Sequence, residues 1–223
     1  MGDKNVAVVV GVGPGLGAAL ARRFSADGFA VACVARSERK VRALANEIGG
    51  KGFEADATDP ASLKAALSAI RESMGPIHTI LWNVGSGVFG DIDTVELDAL
   101  ELALKTNAEG LFVTVKDSLA DLRAAGGNVI VTGATASLRG KPFTTAFAAG
   151  KAAQRSLVES LARKLWPEGV HVALIVVDGQ VGDGTNDAKI SPDAYAETAA
   201  FLCRQHPSAW TFQLEVRPSV ETW

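Results

Sequence analysis

The stretch GVGPGLG, residues 11–17, holds the first residues whose types and spacing imply chemistry. Glycines tolerate positive φ and let main-chain N–H groups come close to a ligand. Between a β-rich run and a helical run, such a turn makes a cradle for a pyrophosphate at a helix N-terminus, where N–H groups and helix dipole both favour anions. Gly11, Gly15 and Gly17 give the spacing G-x-x-x-G-x-G, with Gly13 and Leu16 inside the same turn. A dinucleotide-binding unit usually carries, about 20 residues further on, an acid for the adenosine ribose hydroxyls. Here the second strand ends CVARSER, with Ala35 at the acid's place and Arg36 after it. A guanidinium clamps a 2′-phosphate that a carboxylate would repel. The reading favours NADP(H), with NAD(H) as the alternative. The competing readings are a tight turn with no ligand and a solvated Arg36 at a helix start.

These residues need a scaffold, and the pattern supplies one. Short Val/Ile/Ala-rich runs over residues 5–11, 29–36, 51–56, 77–85, 128–134, 170–179 and 209–216 read as strands. Longer runs over residues 16–28, 37–50, 59–75, 94–127, 143–166 and 191–206 read as helices. Ser37 and Asp59 stand at N-cap positions, Pro60 at a first helical position, and Gly28 closes the first helix. Near-continuous apolar strands are buried on both faces. Their alternation with helices predicts a doubly wound parallel α/β sheet with right-handed crossovers, one Rossmann-like domain over residues 1–223. Ligands of such sheets bind beyond the carboxyl ends of the strands.

Composition narrows the function. The chain has 223 residues, enough for one full core and too few for two ordinary domains. A formal net charge of −3 and the lack of a Lys/Arg cluster argue against nucleic acid as a partner. No stretch reaches the roughly 18 apolar residues of a membrane span, and the N-terminus lacks the flanks of a signal peptide. The expectation is a cytoplasmic protein acting on a small molecule, with neither nucleic acid nor membrane as partner. Cys33 and Cys203 lie in apolar runs and read as core thiols. His78, His171 and His206 show no metal-ligand spacing, so no metal is expected.

The strand–helix order, the glycine spacing and AFAAGK at residues 146–151 together resemble the short-chain dehydrogenase/reductase family over nearly the whole length. EADATD is similar to the stretch after strand three, which implies Asp56 and Ala57 at the edge of the adenine. LWNVG is similar to the Asn-Asn-Ala-Gly motif, with Asn83 and Gly85 kept and Trp82 for the first asparagine. KTNAEG supplies the helix asparagine, Asn107. Members of the family reduce carbonyls or oxidise alcohols. A tyrosine moves the proton, a lysine binds the nicotinamide ribose, a serine positions the carbonyl oxygen, and the asparagine holds a relaying water. The resemblance thus assigns catalytic roles to Lys151 and Asn107. It also implies a homodimer or homotetramer built on the helices at Thr94–Gly126 and Phe143–Trp166.

The pattern departs at two places. Phe147 stands where the tyrosine is expected, and Ala134 where the serine is expected. A phenyl ring donates no proton, and loss of a positioned general acid costs a factor of about 10² to 10⁴. The residues around this gap that could line a substrate pocket are Ala134, Thr135, Phe147, Asp178 and Asp183. The two carboxylates are the better substitute acids if burial raises their pKa; otherwise they are solvated loop groups. Ser137, Thr144 and Thr145 read as capping hydroxyls, and Tyr195 as a packing residue in a late helix. Trp82 reads as either pocket lining or core, and Trp210 and Trp223 flank the last strand. The C-terminal VRPSVETW covers either a site or an interface. Two functions follow. One is an atypical NADP(H)-dependent oxidoreductase whose proton comes from water or a loop residue. The other is a non-catalytic NADP(H)-binding protein. A lyase or epimerase lacks a visible acid–base pair.

Overall fold

The computed structural model describes residues 4–85, 88–185 and 187–221. Trp223, expected beside the last strand, lies outside the described residues. Among the described residues seven strands, β1 (Val6–Val10), β2 (Ala30–Ala35), β3 (Lys51–Glu54), β4 (Ile77–Trp82), β5 (Asn128–Ala134), β6 (His171–Val177) and β7 (Gln213–Val216), form one sheet. Every pairing is parallel, in the order β3-β2-β1-β4-β5-β6-β7. The chain builds outward from β1 in one direction and then, from β4, in the other. A crevice therefore opens between the ends of β1 and β4, where the crossovers part. The doubly wound expectation holds.

Eight α-helices among the described residues cover the faces: α1 (Leu16–Ala26), α2 (Glu38–Ile48), α3 (Pro60–Met74), α4 (Leu97–Leu104), α5 (Gly110–Asp117), α6 (Leu119–Ala125), α7 (Thr145–Leu165) and α8 (Pro192–Cys203). Strand periodicity sends alternate side chains to opposite cores. Val6, Val8 and Val10 of β1 join the cluster under α3, α5, α6 and α7, whereas Ala7 and Val9 join the cluster under α1, α2 and α8. Burial of each such valine stabilises the fold by about 1.5–3 kcal/mol. None of the described helices is long and apolar enough to cross a membrane.

Several local expectations need correction. The run at residues 94–127 is not one helix: a π-helical turn, Lys105–Glu109, separates α4 from α5, and Ser118 separates α5 from α6. One extra residue in the turn swings Asn107 inward, and its Nδ2 donates to Ala103 O at 2.8 Å. Ser37 does stand at the N-cap of α2, but its hydroxyl makes no capping bond, whereas Asp59 caps α3 by accepting from Ala61 N at 2.8 Å. Trp82 is core: it is fully buried, and Gly110 packs onto its ring so closely that a Cβ would lie 2.9 Å from Cη2. Cys33 is buried and Cys203 only partly so; both are free thiols.

Candidate active site

The site begins at the glycine turn. Gly11 has φ +91°, and a Cβ there would lie 2.8 Å from the main chain of Asn83. A Cβ at Gly17 would lie 2.6 Å from Gly11 O. These two glycines are demanded by the protein's own backbone. Gly13 and Gly15 face open space instead, the room a pyrophosphate needs in front of the first turn of α1.

A crevice of about 460 Å³ runs from this turn past Arg36, Asp56, Ala57 and Thr58. Arg36 is exposed at its rim. The Asp56 carboxylate accepts from Thr58 N and Oγ1, both at 2.8 Å. Those bonds, with a smaller contribution from Arg36, hold it below the usual carboxylate range. Asn83 and Gly85 border both this crevice and a second cleft of about 890 Å³ at the ends of β4, β5 and β6.

The second cleft has an apolar wall and a polar floor. Phe147 from α7 meets Phe89 with ring centroids 5.1 Å apart, and Phe143 stands beside them half exposed. Ala134 and Thr135, at the end of β5, line it as well. On the floor, Lys151 Nζ donates to Thr132 O and to Gln154 Oε1, both at 3.0 Å. Gln154 Nε2 in turn donates to Asn107 O at 3.2 Å, so the buried glutamine bridges the lysine to the π turn. Burial lowers the Lys151 pKa to about 7.

A second chain of hydrogen bonds ties the floor to the glycine turn. Asn83 Nδ2 donates to Gly11 O at 3.0 Å, so its Oδ1 is the atom that accepts from Thr132 Oγ1, also at 3.0 Å. The threonine hydroxyl has one hydrogen, already committed, so at 2.6 Å it accepts from Tyr195. The direction Tyr195 to Thr132 to Asn83 is therefore fixed. Tyr195 is packed inside the second core, as its apolar neighbours suggest, yet its phenol also braces the site. Burial raises its pKa, keeping it protonated.

The two candidate carboxylates separate. Asp178 lines the cleft but is clasped by Arg217 at 2.7 Å and Arg139 at 3.2 Å. Asp183 does not reach the cleft lining: it is exposed, and Thr185 N and Oγ1 hold its carboxyl below the usual range. Local turn geometry wins there over any pull toward the pocket. Thr144 and Thr145 spend their hydroxyls on Lys141 and Pro142 carbonyls, and Ser137 on Ala134 O. The C-terminal segment contributes Arg217 to Asp178 and Glu221 to the cleft lining. No group of three or more potential metal ligands occurs among the described residues.

Sequence reasoning missed Gln154, Thr132 and Arg139. Gln154 carried a usable signal, since it stands three residues after Lys151 on the same helical face. Thr132 did too, as a hydroxyl following the apolar run at residues 129–131 in the strand. Arg139 sits in a loop and had none.

A family model described as short chain dehydrogenase matches residues 5–186. The chain is 32% identical over 184 residues to 17-beta-hydroxysteroid dehydrogenase type 1 of Homo sapiens, a match covering 77% of this chain and 56% of that one. The chain thus spans little more than half the length of that relative. A solved short-chain dehydrogenase from Rhodopseudomonas palustris superposes with TM-score 0.85 at 33% identity, over 96% of this chain and 98% of that one. A metagenomic short-chain oxidoreductase in complex with NADP superposes with TM-score 0.86 at 26% identity, over 97% of this chain and 98% of that one.

Proposed function

The chain belongs to the short chain dehydrogenase family, and we propose that it binds NADP(H) and transfers hydride to or from a small carbonyl or alcohol compound. The observation that carries the reading is the continuity of the trough. It runs from Arg36 past Gly13 and Asp56 to Asn83, Gly85 and Lys151, with room where a dinucleotide needs it. The cofactor, when bound, supplies or accepts the hydride.

The chain's own residues do the rest. Gly11, Gly13, Gly15, Leu16 and Gly17 present the N-terminus of α1 to a pyrophosphate. Asp56 and Ala57 edge the adenine. Arg36, beside an α2 N-terminus that Ser37 leaves uncapped, suits a 2′-phosphate and underlies the preference for NADP(H) over NAD(H). Lys151 stands at the nicotinamide end of the trough, and Asn107 carries the carbonyl to which Gln154 is anchored. Ala134, Thr135, Phe147 and Asp178 bound the space for the substrate. Asp183 has no part in it. The protein acts as a homodimer or homotetramer in the cytoplasm; half-exposed Leu102 and Phe112 and exposed Leu97 on α4 and α5 are a suitable seam.

Phe147 and Ala134, at the places of the family's acid and oxyanion donor, favour a second reading in which the nucleotide is held without turnover. The test is consumption of NADPH across a panel of ketones, aldehydes and quinones. Turnover that Lys151→Ala abolishes supports the oxidoreductase. NADPH binding without turnover on any of them supports the non-catalytic reading.

A further inference from the structure

Resting on the oxidoreductase reading, we infer that Lys151 is itself the proton donor and acceptor of this site and that Gln154 aims it. Among the described residues lining the cleft, acids are few, and the Thr135 hydroxyl is a weak one. Phe147 and Ala134 carry no acid, the Thr144 hydroxyl is committed to the Lys141 main chain, and Asp178 is ion-paired between Arg139 and Arg217. Lys151 lines the same space.

Its geometry is directional. Of the three bonds an ammonium can donate, one ends on Thr132 O and one on Gln154 Oε1. Neither acceptor can swing away. Thr132 O belongs to β5, and Gln154 is anchored through Nε2 to Asn107 O. The amide cannot be reversed either, because an NH₂ group facing an ammonium would leave both bonds unmade. The third direction is used by neither bond; Gly85 lies beside Nζ, where a Cβ would be 3.4 Å away, and Lys151 lines the cleft. A neutral amine keeps two hydrogens for the same two acceptors and turns its lone pair along that third direction. The two protonation states thus differ by one proton at one place. Burial makes both states reachable near neutrality. The charged groups lining the cleft are Arg139, Lys141, Asp178 and Glu221, while β5, the π turn and α7 face Nζ with the neutral groups of Thr132, Asn107 and Gln154.

On reduction, the hydride brings one electron pair to the carbonyl carbon and the cofactor ends oxidised. The carbonyl π pair moves to oxygen, which takes the Lys151 proton. The neutral amine left behind is reprotonated by water entering the open cleft. Oxidation of an alcohol runs the same proton in reverse.

The test reads the lysine directly. In nucleotide-free protein labelled at lysine Cε with ¹³C, one resonance should titrate near neutrality and be missing in Lys151→Met. Gln154→Glu places a carboxylate on Nζ and should raise that midpoint by about 1 pH unit or more. With the panel compound that turns over fastest, the reduction rate should fall as pH rises through the same midpoint, and Gln154→Glu should carry the rate limb upward with the resonance. A Lys151 resonance that stays charged above about pH 9 overturns the inference, and so does a rate limb that ignores the Gln154→Glu change. Both leave NADPH binding intact. No turnover on any panel compound would remove the oxidoreductase reading and the inference with it.

Discussion

At the residue scale the central fact is a buried lysine at the floor of the cleft with Phe147, not a tyrosine, four residues before it. If Phe147 and Ala134 occupy the places of an acid and an oxyanion donor, restoring both groups should help. The Phe147→Tyr, Ala134→Ser variant should raise kcat by about 10²-fold or more on any carbonyl the protein already reduces, since a positioned acid supplies about 10² to 10⁴. Steady-state rates with NADPH check it; an unchanged kcat would mean that the fold no longer positions a substrate against those atoms. The site's residues divide by what the sequence could reveal. Gly11, Gly17 and Asn83 were legible because their chemistry is encoded in local spacing. The arginine clasp on Asp178 was not, because Arg139 and Arg217 come from loops far apart in the chain and meet only when β5, β6 and β7 align.

At the element scale, the strands and most helices were readable because burial on both faces writes continuous apolar runs, while amphipathic helices write a 3.6-residue period. The π turn was invisible to that logic. The polar stretch KTNAEG interrupts the apolar period, but it reads equally as a solvated helical turn, and the one inserted residue that under-winds the helix leaves no mark of its own. The break has a partner in Gly110, whose missing Cβ would lie 2.3 Å from Ala57 O. Gly110→Ala should therefore push α5 off the sheet and destabilise the fold by about 1–3 kcal/mol, read by denaturant unfolding. Tyr195→Phe tests the brace between α8 and the glycine turn. It removes one donated bond without opening a cavity and should cost about 1 kcal/mol of stability. It should also weaken NADPH binding, because Asn83 and Gly11 lose part of their tether. Weakened stability with unaltered binding would confine Tyr195 to packing.

At the scale of the whole molecule, Lys151 makes stability depend on pH in a defined sense. Below about pH 7 the lysine is charged in both the folded and unfolded states, and the full burial penalty is present. Between there and its ordinary value near 10.4, the unfolded chain holds a proton that the folded chain has lost. The unfolded state binds more protons across that window, so this group's contribution to stability rises with pH. Lys151→Met removes the penalty at every pH. Its stability advantage over the parent should shrink by a few kcal/mol from about pH 6 to about pH 10, since each tenfold change in a proton's affinity is worth about 1.4 kcal/mol. Thermal unfolding at both pH values reads it.

The trough that runs from Arg36 to Lys151 is tested most directly by a fluorescence titration of the purified protein with NADPH and, separately, NADH. Micromolar NADPH binding is predicted, tighter than NADH, with Arg36→Ala weakening NADPH by about tenfold and leaving NADH nearly unchanged, as expected for loss of one charge-assisted contact. Binding of neither nucleotide would contradict it and leave the glycine turn as a structural feature alone.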